Sequence, residues 1–114
     1  MSKLPSSIRI GTQVWEIIEA DASKDSALSE DAMGYTMERS NTIVIDKALP
    51  PSRKRQVVFH ELLHALRFTY ANPITPVKGE VGDWEHYFIG IYEEMLLVVF
   101  RDNPALLSYL TKDL

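Results

Sequence analysis

His60-Glu61-Leu62-Leu63-His64, near the middle of a 114-residue chain, decides how everything around it is read. The stretch has the form H-E-x-x-H, in which one helix offers two imidazoles to a single zinc ion. On an α-helix, residues four apart lie about 40° apart around the axis and one turn along it, so both rings reach one point in space. Glu61 follows the first histidine and points to the flank of the same face. A carboxylate there can take a proton from water instead of ligating the metal.

The flanking sequence predicts the helix that this geometry needs. Pro50, Pro51 and Ser52 mark a start, with Ser52 as N-cap or Pro51 at the first helical position. No Gly or Pro follows until Pro73. Val58, Phe59, Leu62, Leu63, Ala65, Leu66 and Tyr70 fall on one broad apolar arc at helical spacing, and His60, Glu61, His64 and Arg67 on the other. The motif is therefore expected on the polar edge of a core-facing helix, open to solvent and substrate.

Catalytic zinc takes three protein ligands and leaves a fourth position for water. The chain has one further histidine, His86, directly after Glu85, and both open a second helix-like stretch at 84–100. Adjacent helical residues point about 100° apart, so one of the pair faces the metal. Glu85 shares a stripe with Ile89, Tyr92 and Leu96; His86 shares one with Gly90, Glu93 and Leu97. Gly90 would let a neighbouring helix come close. Imidazole is the commonest metal ligand, so the metal set reads as His60, His64 and His86, with Glu85 the rival third ligand.

Composition narrows the function classes. The hydrophobic share of 46% and charged share of 25% are those of an ordinary globular protein, and 1–114 reads as a single domain. A net charge of -4 without a Lys/Arg-rich face argues against nucleic acid or an anionic membrane as partner. Arg53-Lys54-Arg55 reads as the solvated first turn of the motif helix. The absence of cysteine excludes disulfides and thiolate zinc sites and is compatible with a cytoplasmic location. Met1-Ser2-Lys3-Leu4-Pro5 has no apolar signal-peptide core. The most apolar run, 95–100, is too short to span a bilayer.

Ile8-Arg9-Ile10 and Val14-Trp15-Glu16-Ile17-Ile18 read as strands broken by Gly11-Thr12. Residues 19–31 read as a loop or short helical turn. Gly34-Tyr35-Thr36-Met37-Glu38-Arg39 and Thr42-Ile43-Val44-Ile45 read as a hairpin across Ser40-Asn41. Residues 42–45 are a candidate edge strand for an extended substrate, an interior strand being the alternative. Asn72-Pro73, Thr75-Pro76, Lys78-Gly79 and Gly82-Asp83 read as a loop with Asp83 capping the second helix, and Asn103-Pro104 opens a third helix docked by Leu106, Leu107 and Leu110. The expected class is α+β: a small antiparallel or mixed sheet of three to four strands on two main helices plus a short C-terminal helix.

At these residues the chain resembles the ImmA/IrrE-type zincin metallopeptidases common in phages, prophages and mobile elements. The likeness covers the Gly34-Tyr35-Thr36 and Ile43-Val44-Ile45 strands, the His60-Glu61-Leu62-Leu63-His64-Ala65-Leu66 helix and the apolar helix after it. The closing Arg101-Asp102-Asn103-Pro104-Ala105-Leu106 run is similar to the end of short phage-encoded members. The resemblance implies a minimal zincin-like fold, a Zn²⁺ cofactor on His60 and His64, Glu61 as catalytic base, and a protein or peptide substrate. Members usually take a glutamate from the next helix as third ligand; here the matching position holds His86, with Glu85 beside it. Metzincins differ, having a Gly and a third His at a spacing this chain lacks.

The reading is a zinc-dependent peptidase in which Glu61 takes a proton from an attacking water and returns it to the leaving amine. Tyr35, Tyr87 and Arg67 are candidates for stabilising the oxyanion, with a structural role as the alternative for each. The apolar set of the second helix reads as core. The rival readings are a non-catalytic zincin-fold binding or regulatory module that retains its metal, and a plain helical interaction protein without one.

Overall fold

The computed structural model describes residues 3–70 and 81–112, excepting the side chains of 81–84. The loop read at 72–79 lies outside them. Four strands come first: β1 (Ser7–Ile10), β2 (Gln13–Ala20), β3 (Gly34–Met37) and β4 (Thr42–Asp46). Three helices follow: α1 (Pro51–Tyr70), α2 (Val81–Asp102) and α3 (Pro104–Thr111). The arrangement is α+β, with one mixed sheet in the order β1-β2-β4-β3.

Alternation explains the first hairpin. Ile8, Ile10, Trp15 and Ile17 are buried while their neighbours in β1 and β2 face out. Gly11 turns between the strands at φ +60°, a left-handed conformation that glycine adopts freely. The chain then crosses to the far side of the sheet through residues 21–33, and β3 and β4 return as a hairpin. Its turn ends at Asn41, φ +50°, where a short polar side chain tolerates the left-handed region.

β4 ends up between β2, to which it runs parallel, and β3, to which it runs antiparallel. The expected edge at 42–45 is thus an interior strand, and β3 is the edge. The reason is topological: the 21–33 segment delivers β3 to the outside first, so β4 fills the gap. Burial agrees, since Thr42, Ile43, Val44 and Ile45 are all buried. Ile43 and Ile45 join the main core under α1. Val44, on the opposite face, is buried outside that cluster, as is Leu28 of the crossing segment. The hydroxyl of Tyr35 donates to Asp25 Oδ2 at 2.6 Å and ties that segment to β3.

α1 lies along the inner face of the sheet. Lys54 Nζ meets Glu19 Oε1 at 2.8 Å near one end, and Trp15 Nε1 donates to Thr69 Oγ1 at 3.1 Å near the other. Between them Val58, Leu62, Ala65 and Leu66 are fully buried. Each large aliphatic side chain so buried stabilises the fold by about 1.5–3 kcal/mol. Phe59, expected in the apolar arc, is 36% exposed.

α2 begins at Val81, so Asp83 sits in its first turn instead of capping it. Only part of the apolar set read as core is buried: Val99 is, while Ile89 and Leu97 are 51% and 72% exposed. In α3, Leu106 and Tyr109 dock and Leu107 faces out. Asn103 does more than start α3. Its Nδ2 donates to the carbonyls of Arg9 and Val99, both at 2.8 Å, and its Oδ1 accepts from Arg9 N at 2.9 Å. The α2–α3 corner is thereby stitched to β1. Among the described residues no helix is long and apolar enough to cross a membrane.

Candidate active site

The motif sits on α1 where that helix passes β3. The helix starts at Pro51, and Lys54 N donates to the carbonyl of Pro50 at 2.8 Å, the first bond of the helical ladder. Of the two expected starts, Pro51 as first helical residue is the one observed. Two and a half turns on, His60 and His64 project outward, the His60 side chain being 68% exposed. Their ring centroids are 5.0 Å apart with an interplanar angle of 68°. Two imidazoles sharing one tetrahedral zinc, at about 2.0–2.1 Å per nitrogen, have centroids roughly 5 Å apart. The pair fits such an ion without rearranging the helix. Phe68, one turn beyond His64, lies nearly parallel to its ring at 6.3 Å and backs it.

Glu61 departs from expectation in placement. It is 6% exposed, turned toward the sheet with the apolar arc instead of lying on the solvent arc. It is not sealed in apolar packing, for it lines the same cleft as His60 and His64. Thr36 Oγ1 stands 2.8 Å from Glu61 Oε1 and 3.2 Å from the Glu61 carbonyl oxygen. The other carboxylate oxygen, Oε2, lies 4.0 Å from His60 Nε2, too far for a hydrogen bond. A buried carboxylate is tolerated only when partnered; here one oxygen has its donor and the other is on the side of His60.

Glycine at position 34 makes this approach possible. A Cβ there would fall 2.8 Å from Val57 Cγ1 and 3.0 Å from the Val44 carbonyl oxygen. Such contacts force neighbours apart, so any side chain at 34 would wedge α1 away from β3. With glycine in place, α1 and residues 31–36 enclose a cleft of about 540 Å³. Arg53 and Gln56 line it together with Thr36, His60, Glu61 and His64. Thr36, Gly34 and Phe68 were not singled out from the sequence. The period-two pattern of β3 carries the signal for the first two, since residues 34 and 36 share one face of a strand.

The second-helix candidates are not gathered with the histidine pair. Glu85 and His86 are both exposed, and among the described residues no three His, Cys, Asp or Glu side chains form a metal cluster. The two differ in phase. Tyr92 turns inward, its hydroxyl donating to the Leu63 carbonyl of α1 at 3.3 Å. Glu85 lies seven residues before Tyr92, about two turns back on the same face. His86 shares the stripe of Gly90, Glu93 and Leu97, all exposed. A Cβ at Gly90 would meet nothing within 4 Å among the described residues, so no described helix closes on that stripe.

The three oxyanion candidates also separate. Tyr35 lines the cleft, but its hydroxyl is committed to Asp25, whose carboxylate, helped by burial, holds the phenol above its ordinary pKa. Arg67 and Tyr87 do not line the cleft. The Tyr87 hydroxyl is buried and has no hydrogen-bond partner among the described residues.

A helix carrying H-E-x-x-H beneath a mixed sheet, with an edge strand along the cleft, is the arrangement of a zincin-type metallopeptidase domain. Comparison with family models agrees: the Peptidase_M78 model, described as the IrrE N-terminal-like domain, matches residues 17–87. That span is more than half the chain and runs from β2 through the motif to the first turns of α2. The chain belongs to this metallopeptidase family. No curated protein and no solved structure matches it.

Proposed function

We propose that the chain, as a single domain, is a zinc-dependent peptidase acting on an extended protein or peptide segment. The observation that carries the reading is the Glu61 carboxylate, buried in the wall of the cleft with one oxygen held by Thr36 and the other 4.0 Å from His60 Nε2. A metal-holding module without catalysis has no use for such a group, and burying it opposes folding unless it is partnered.

His60 and His64 would hold the ion. When bound, zinc acidifies water to near neutrality and polarises a carbonyl. Glu61 takes the proton from the attacking water and passes it to the departing amine. The outer edge of β3 offers backbone donors and acceptors to an extended substrate, aligning it along the cleft beside His60 and Glu61. For the third ligand, imidazole chemistry favours His86, while helix phase favours Glu85. Tyr92, two turns beyond Glu85, reaches α1, while Ile89 between them is exposed, so metal analysis of variants decides between the two. The resemblance to short phage-encoded members supports a phage or mobile-element origin and action in a bacterial cytoplasm.

The test is metal analysis of wild type, His86→Ala and Glu85→Ala side by side, with peptide hydrolysis assayed on wild type and Glu61→Gln. Glu61→Gln should keep zinc and lose hydrolysis by about 10²–10⁴-fold. A Glu61→Gln variant that cleaves as fast as wild type ends the proposal for Glu61. Wild type that takes up no zinc ends the reading altogether.

A further inference from the structure

The two oxygens of the Glu61 carboxylate stand in different surroundings. Oε1 is 2.8 Å from the Thr36 hydroxyl, and Oε2 is on the side of His60 Nε2. A hydroxyl has one proton to give. Of the two acceptors within reach of Thr36, the carboxylate is both nearer and charged, so it takes the stronger bond. Rotation of a carboxylate about its last torsion is otherwise nearly free. A single donor on one oxygen removes that freedom and decides which oxygen is left over.

We infer that Thr36 is a positioning residue for the base: its hydroxyl pins Glu61 Oε1 so that Oε2 is the oxygen that receives the proton. The inference rests on the peptidase reading above and deepens it. The strand that carries Thr36 gives the placement a second consequence. β3 is the edge of the sheet, and its free side is where an extended peptide would pair. Substrate register and base orientation are then set by the same four-residue strand, Gly34–Met37. Gly34 contributes by letting α1 sit close enough for a side chain as short as threonine to reach Glu61.

The experiment uses the full chain loaded with zinc, as wild type, Thr36→Val, Thr36→Ser and Thr36→Ala. Three quantities are read: zinc per chain, kcat and KM on a quenched-fluorescent peptide cleaved by wild type, and calorimetric affinity for a peptidyl hydroxamate. A hydroxamate chelates the metal and hands its proton to a neighbouring carboxylate, so it reports on the base without turnover. Thr36→Val, which keeps the shape and drops the hydroxyl, is expected to retain zinc and lower kcat by about tenfold or more with KM within about twofold. It should also weaken the hydroxamate about tenfold, and Thr36→Ser should restore both to within about threefold.

Thr36→Val matching wild type in kcat and hydroxamate affinity overturns the inference while leaving the peptidase reading intact. So does Thr36→Ser being as poor as Thr36→Val, since shape and not the hydroxyl then matters. If Thr36→Val does not fold, Thr36→Ala against Thr36→Ser carries the same comparison. Wild type that binds zinc, cleaves no peptide and still shows the hydroxamate pattern overturns the peptidase reading and supports the role of Thr36. Absence of both cleavage and the pattern overturns both.

Discussion

Two helices carry the candidate metal ligands and are built in opposite ways. Where α1 faces β3, Leu62 is fully buried, Glu61 is hydrogen-bonded to Thr36, and Gly34 leaves no room for even a methyl group. On the outward face of α2, Leu97 is 72% exposed and, among the described residues, nothing approaches Gly90. The histidine pair and the proposed base are therefore held by the protein's own packing and hydrogen bonds. The proposed third ligand, Glu85 or His86, is on a helix whose outer face makes little packing among the described residues. Packing determines the first half of the proposed site; coordination would complete the second.

The contrast can be broken most sharply by truncation on each side. Leu62→Ala should destabilise the fold by about 2–5 kcal/mol in denaturant unfolding. Leu97→Ala should shift it by no more than about 0.5 kcal/mol, as surface changes do. Equal effects would show that α2 is packed as firmly as α1. Next in size is the metal. At a free zinc concentration about a hundredfold above the dissociation constant, stability should rise by about 2.7 kcal/mol. Chelator should reverse the rise, and amide exchange should slow in α2 more than in α1. Uniform slowing would contradict an α1 organised in advance.

Gly34→Ala sharpens the same comparison from inside. The added methyl wedges α1 from β3, which should cost about 1–3 kcal/mol and lengthen the Thr36–Glu61 contact. Hydrolysis should fall more than zinc binding does, because the histidines move with the helix while Thr36 stays with the strand. The smallest effect lies at high pH. Tyr35 is held above the ordinary tyrosine pKa by its hydrogen bond to Asp25, with burial adding to it. The folded state thus keeps a proton that the unfolded chain releases near pH 10. This stabilisation is fully present below that pH and is lost as pH rises through the folded value. Thermal midpoints measured from pH 9 to 11 should fall for wild type and fall less steeply for Tyr35→Phe.

Much of the fold was legible because its signals are local. Alternation at Ile8, Ile10, Trp15 and Ile17, the Ser40-Asn41 turn and the Pro51 helix start each follow from preferences within a few residues. The pairing of His60 with His64 follows from helical pitch alone. Which strand forms the edge is a different kind of fact. It depends on where residues 21–33 carry the chain, and no periodicity records that. The burial of Glu61 was missed for a related reason: a carboxylate scores as polar on any helical wheel, and only a donor on a neighbouring strand makes the inward position tolerable. Asn103 shows the same limit. Its place before Pro104 announced a helix start, while its bonds to Arg9, 94 residues away, could not be anticipated.

By itself, then, the sequence determined a helix with two imidazoles one turn apart and a carboxylate between them, since helical pitch places side chains without help from the rest of the chain. Tertiary structure decided which oxygen of Glu61 is held, which strand runs beside the cleft, and that the hydroxyl of Tyr92 on α2 reaches α1. Those are relations between segments distant along the chain, set by close packing and hydrogen bonds that form only once sheet and helices have met.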